Sequence, residues 1–205
     1  MDHEASQDVP LPYEVVAELR SMHEGEDRGY HAWSHPLDML RTMATIPSPL
    51  RDHLAFVCST ITHDAIYDPR RTDNEELSAQ FAERRLAGLI PPETLARTAR
   101  MNRATARHRP QDGLSPDDLF DTMHFLDLDL SILGAAEDRF SRYEAGVRHE
   151  YRHVESRTFA MRRADILEGF LRRDAIYLTD WGRRSFEEAA RINIARSIET
   201  LRMAA

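Results

Sequence analysis

The segment Leu54-Ala-Phe-Val-Cys-Ser-Thr-Ile-Thr-His-Asp-Ala-Ile-Tyr67 is an apolar run at helical length that carries His63 and Asp64 side by side. Such a run is buried on most faces, and a buried carboxylate needs a counter-charge or a metal. An imidazole nitrogen and a carboxylate oxygen on successive residues can both reach one divalent cation when other segments supply further ligands. The chain therefore has to fold so that distant polar residues converge on this pair.

The surrounding pattern is helical almost throughout. No stretch alternates apolar and polar residues long enough to define a sheet, and the whole chain holds eight glycines. A first helix is predicted over Tyr13 to His23, followed by an irregular polar loop, Glu24 to Trp33. Ser34 with Pro36 in the first turn starts a second helix that Pro47 ends, and Ser48-Pro49 repeats the start signal for the helix carrying His63-Asp64, expected to run to about Tyr67. Asp68-Pro69 is a stop. Further helices are predicted near Asn74 to Leu86, from Pro91-Pro92 to about His108, from Ser115-Pro116 to Gly134, and over Glu137 to His153, Arg157 to Arg172 and Trp181 to Met203. The expected architecture is all-α, about nine helices in a single domain over residues 1–205, a length that buries one good-sized core.

The clearest stripe is Leu119, Met123, Leu126, Leu130 and Leu133, read as the buried face of its helix. At about 100° per residue, Asp127 and Asp129 flank it on opposite sides, each roughly 80° from its centre, so at least one of them sits at the edge of the core.

Composition narrows the chemistry. All 27 basic residues are arginine, which excludes a Schiff-base or P-loop lysine. The net charge of −8 argues against nucleic acid as the main partner. The single cysteine, Cys58, forms no intrachain disulfide and reads as a small core residue of a protein in a reducing cytoplasm. No stretch reaches the length of a membrane span, and Met1 to Pro10 is acidic, unlike a signal sequence.

Histidines 31, 35, 63 and 108, with Asp64 and Asp127, recur at the starts, middles and ends of helices that otherwise look buried. His31 and His35 have the i, i+4 spacing that shares one cation on a regular helix, although Pro36 either biases His35 away from helical geometry or places it in the first turn, which puts His31 in the preceding loop and off its face. Arg103 and His108 close one helix, where cations either receive phosphate oxygens or offset the helix dipole; Arg103 is assigned the solvated role and His108 the site. Arg148, Glu150 and Tyr151 read as a buried bracing network. Arg162-Arg163 and Arg172-Arg173 read as solvated faces.

Taken in order, Tyr30-His31-Ala-Trp-Ser-His35, Ile61-Thr-His63-Asp64-Ala-Ile-Tyr67-Asp68, Asn74-Glu75-Glu76-Leu-Ser78-Ala79, Thr105-Ala-Arg-His108, Phe125-Leu-Asp127-Leu-Asp129 and Val147-Arg148-His-Glu150-Tyr151 resemble the HD-domain superfamily of metal-dependent phosphohydrolases, in an uncharacterised bacterial branch, over roughly residues 28 to 193. The resemblance implies an HD-domain-like helical bundle with one divalent metal, manganese, iron, cobalt, nickel, zinc or magnesium, held by His35, His63, Asp64 and Asp127. It implies that His31 stands near the metal, touching substrate or supporting a ligand, and that the Asn74-Glu75-Glu76 segment approaches the site; a carboxylate there, Asp64 with Glu75 or Glu76, would handle the attacking water, His108 is read as receiving phosphate oxygens and Asp129 as orienting a ligand. The substrate would be a nucleotide or another small phosphorylated metabolite. Two other readings remain open. A di-iron oxygenase on the same fold would need extra histidines, and none lies between Arg70 and Met101, so Glu76 would have to substitute. A non-catalytic nucleotide or metal sensor would be expected to have lost a ligand.

Overall fold

A computed structural model describes residues 9–205; the acidic opening, residues 1–8, lies outside the described residues. Among the described residues the chain is all-helical, with nine α-helices and no strand: α1 (Tyr13–Met22), α2 (Ser34–Met43), α3 (His53–Thr62), α4 (Asn74–Arg85), α5 (Pro92–Thr105), α6 (Pro116–Asp129), α7 (Glu137–Glu150), α8 (Ser156–Leu171) and α9 (Asp180–Met203), with a 3₁₀ turn, Leu130–Gly134, after α6. None is long and apolar enough to cross a membrane. The helices gather into two compact units, one of residues up to Glu26 with His31–Leu128, the other of Asp27–Tyr30 with Asp129–Ala205.

In the first unit α3 is central, and every residue from Ala55 through Thr62 is buried. A helix covered all round must satisfy its own polar side chains. Ser59, Thr60 and Thr62 do so by donating to the carbonyls of Ala55, Phe56 and Cys58 one turn back, at 2.8, 2.9 and 2.7 Å. Val57, Cys58 and Ile61 pack against Val15 and Leu19 of α1, Leu37 of α2 and Leu86 after α4. Burial pushes the Cys58 thiol up to about 12, which fits its expected role as a core residue.

Helix α3 is shorter than its sequence pattern suggests, beginning at His53 instead of Ser48 and ending at Thr62 instead of Tyr67. Both ends are set by side chains from elsewhere. At the start, the Asp52 carboxylate accepts from Ala55 N at 2.9 Å, while Asp121 of α6 accepts from the Arg51 and Asp52 amides at 2.9 and 2.7 Å. Beyond the other end, Ser78 of α4 takes both the amide and the carbonyl of Ile66, at 3.0 and 3.1 Å. A backbone engaged in this way is not available to continue the helix.

The apolar stripe on α6 also needs correction. Leu119 is exposed and Met123 half-buried, and the continuous buried stretch is His124–Leu128. Asp127 is fully buried and Asp129 half-buried, so the expectation of at least one aspartate at the core edge is met.

The second unit packs Leu130, Ile132 and Leu133 of the 3₁₀ turn against Phe140, Leu167, Ile176, Tyr177, Ala190 and Ile194. Glu150, buried at the end of α7, accepts from the amides of Gly29 and Tyr30 at 3.0 and 2.7 Å. Arg148, half-buried, donates to the Tyr151 and Val154 carbonyls of its own segment, while of the three residues read as a buried network only Glu150 is buried. Arg163, by contrast, is no solvated face. It is buried, with its guanidinium 2.6 Å from the Tyr143 hydroxyl and paired with Glu144.

Candidate metal centre

His63 and Asp64 fall in the turn immediately after α3 instead of on its surface, and His35 stands in the first turn of α2. His35 and His63 are buried and Asp64 is largely so. The Nε2 atoms of the two histidines are 3.2 Å apart, and Asp64 Oδ2 lies 2.9 Å from His63 Nε2 and 3.8 Å from His35 Nε2. These three ligand atoms lie within 4.8 Å of one another, a group able to hold a metal ion.

The tautomer of His63 follows from its other nitrogen. His63 Nδ1 is 3.0 Å from the Thr60 carbonyl, which can only accept, so Nδ1 carries the proton. In the neutral ring Nε2 then presents a lone pair to the Asp64 carboxylate oxygen and to the second imidazole. Such a convergence is repulsive unless a proton or a cation lies between the atoms, and the carbonyl behind Nδ1 is the usual device that aims a histidine at a metal. Burial opposes ionisation of Asp64, but the charges of His63, His31 and His35 outweigh it and hold the carboxyl well below the usual carboxylate range.

Aromatic rings wall the group. Phe125 of α6 meets the His63 ring edge-on at 5.8 Å and Phe56 at 5.6 Å. Asp127, two residues beyond Phe125, is fully buried but is not one of the three atoms of the group. From α5, Asn102 Nδ2 donates to Thr62 Oγ1 at 2.9 Å and so braces the turn just before His63.

The remaining candidates are distributed as follows. His31 lies in the loop before α2, as expected, with its ring edge-on to His35 at 6.2 Å and stacked on Tyr67 at 4.0 Å. Glu76 is exposed, and its carboxylate is taken by Arg103 at 2.7 and 2.9 Å and by Gln80 at 2.9 Å. Those bonds pull its pKa down to about 2. Glu76 is thereby engaged in a surface ion pair. Arg103 is half-buried and is held by Glu76 and Glu83. Glu75 is half-buried. His108 occupies the turn after α5 with φ +46°, a left-handed conformation uncommon for a histidine. Asp129 acts electrostatically on Tyr143.

Sequence reasoning placed Tyr67, Asn74 and Ser78 within the resembling segments but gave none of them a role. The Asn74 side chain binds both backbone groups of one residue, accepting from Asp68 N at 3.1 Å and donating to Asp68 O at 2.9 Å. The i, i+4 spacing of Asn74 and Ser78 places them on one face of α4, a signal overshadowed by the acidic pair between them. In comparison with known proteins, the chain matches no family model, no curated protein and no solved structure.

Proposed function

We propose that this chain is a metal-dependent phosphohydrolase of the HD-domain type, acting in the cytoplasm on a phosphate ester of a nucleotide or small metabolite. The observation that carries the reading is the convergence of His35 Nε2, His63 Nε2 and Asp64 Oδ2, three lone-pair donors that need a cation or proton between them. Two imidazoles and a carboxylate suit manganese, iron, cobalt, nickel or zinc, and to a lesser degree magnesium. His35, His63 and Asp64 would hold the ion, with Asp127 proposed as the fourth ligand. A divalent cation supplies a water of lowered pKa and polarises a phosphoryl oxygen.

The chain's own residues would do the rest. His31, whose ring stands edge-on to that of His35, would donate to a phosphoryl oxygen. Phe125, packed on His63 and backed by Phe56, would keep one wall dry, which strengthens charge interactions inside. With Glu76 tied to Arg103, Glu75 is the acidic candidate left for taking a proton from the attacking water.

The test is metal content of the purified protein, followed by a screen of nucleoside mono-, di- and triphosphates, cyclic nucleotides and generic phosphate esters with manganese, magnesium, cobalt and nickel. Turnover that is lost in His63→Ala and Asp127→Ala supports the reading. Parent-level turnover in both variants, or an oxygen-dependent product with two irons per chain, overturns it.

A further inference from the structure

Tyr67 is gripped from both sides by one helix. The residue before it, Ile66, has its amide and carbonyl bound to Ser78 Oγ, and the residue after it, Asp68, has its amide and carbonyl bound to the Asn74 side chain. Ser78 and Asn74 are both buried and their backbone partners half-buried, so these four bonds are partly sheltered from competing water. The backbone of Tyr67 is therefore fixed at both flanking peptides by α4. Its ring in turn lies on the His31 imidazole, with centroids 4.0 Å apart and planes inclined by 26°. A stack of that kind leaves an imidazole little freedom to tilt.

His31 sits in a bend before α2 and has no helix of its own to hold it. Its ring stands edge-on to that of His35, with centroids 6.2 Å apart, so its orientation matters to whatever binds at the metal centre. We infer that α4 is a latch for the site. Asn74 and Ser78 are positioning residues that fix Tyr67, and Tyr67 is the positioning residue that aims His31 at a phosphoryl oxygen of the substrate. The Asn74-Glu75-Glu76-Leu77-Ser78 segment then serves the site through its amide and hydroxyl more than through its carboxylates. The part of this inference that concerns substrate rests on the hydrolase reading above; the latch itself does not.

The test uses the full chain and two independent readouts. In the metal-free protein, the His31 ring protons, assigned by comparison with His31→Gln, should carry an upfield ring-current shift that Tyr67→Ala abolishes, Tyr67→Phe retains and Ser78→Ala diminishes. In the manganese-loaded protein with p-nitrophenyl phosphate, Tyr67→Ala should lower turnover by between about tenfold and a hundredfold, as small misplacements of a substrate-contacting group do. Tyr67→Phe should stay within about twofold of the parent, manganese affinity should not change in either variant, and His31→Gln combined with Tyr67→Ala should lose no more than His31→Gln alone. His31 signals that do not move in Tyr67→Ala overturn the latch. So does a loss of manganese affinity that parallels the loss of turnover, since that marks a general structural defect. A protein that hydrolyses no phosphate ester overturns the hydrolase reading and leaves the latch to be decided by the His31 signals.

Discussion

His63 Nε2 lies 2.9 Å from Asp64 Oδ2 while its Nδ1 is bonded to the Thr60 carbonyl, so the only neutral tautomer of His63 points a lone pair at a carboxylate. Without a cation, a proton must occupy that gap. Metal binding is then expected to release protons, and affinity should fall as pH is lowered, because the ion and the proton compete for one position. Titration of manganese into weakly buffered protein should show acidification that His63→Ala abolishes, together with a loss of affinity of at least about tenfold. Equal affinity in parent and variant would remove His63 from the ligand set.

Glu76 gives the opposite expectation. Its carboxylate is half-exposed and held by Arg103 and Gln80 at the surface, and exposed ion pairs contribute only about 0 to 1 kcal/mol. Glu76→Gln should leave manganese affinity and phosphate-ester turnover within about twofold of the parent, with a melting shift of a few degrees at most. A tenfold loss of turnover would bring Glu76 back to the chemistry.

These two residues mark where the sequence is legible. His63 and Asp64 stand out because an acid and an imidazole in an apolar run cannot be buried alone, whereas His35 is singled out only by the resemblance, in which the first ligand begins a helix. Glu76 is ambiguous in the sequence because acidic residues are equally favourable in the first turn of any helix. Arg163 was unreadable for another reason. Its partners Tyr143 and Glu144 lie about twenty residues away on α7, and nothing in a local pattern distinguishes a buried arginine from a solvated one. The ends of α3 belong to the same class, since Asp121 and Ser78, which set them, come from α6 and α4.

Asp52 should make stability depend on acid. Burial opposes its ionisation, but the Ala55 amide, Arg97 and Thr94 outweigh that and hold its pKa below the usual carboxylate value. A carboxyl depressed on folding contributes stability above its unfolded pKa of about 3.9 and loses it as pH falls through the lower folded value. Asp52→Ala should cost about 1 to 2 kcal/mol near neutral pH, the range for a lost N-cap. In urea melts at several pH values the gap between parent and variant should close below about pH 3. A gap that stays constant to the acid limit would mean that the charge on Asp52 contributes nothing.

Arg163 is expected to be far more costly to remove than its neighbour. It is buried against Tyr143 and Glu144, and Glu144 also accepts from Ser197 at 2.8 Å. Truncation strands a partly buried carboxylate, and breaking one partner of such a pair costs about 3 to 5 kcal/mol. Arg162, exposed on the same helix, should change stability by less than about 0.5 kcal/mol when replaced by alanine. Denaturant melts of Arg163→Ala and Arg162→Ala that gave equal midpoints would show the pair to be energetically idle.

Two helical glycines should respond to alanine with opposite signs. In a solvent-facing helix interior Gly→Ala stabilises by about 1 kcal/mol, because alanine loses less backbone entropy on folding. Gly169 of α8 meets that condition, since a Cβ there would have only the flexible end of Arg172, 3.8 Å away, within reach. Gly146 of α7 does not. A Cβ there would stand 2.9 Å from Gly29 C and Tyr30 N and 3.0 Å from Gly29 O, all backbone atoms of a segment that Glu150 already pins through two amide hydrogen bonds. Neither side can retreat without breaking those bonds, and forced overpacking costs about 1 to 3 kcal/mol, more than the propensity gain. Gly169→Ala should therefore raise the melting temperature and Gly146→Ala lower it. A stabilised Gly146→Ala would show that the Gly29–Tyr30 segment is not held against α7, and Glu150→Gln would then be expected to cost nothing as well.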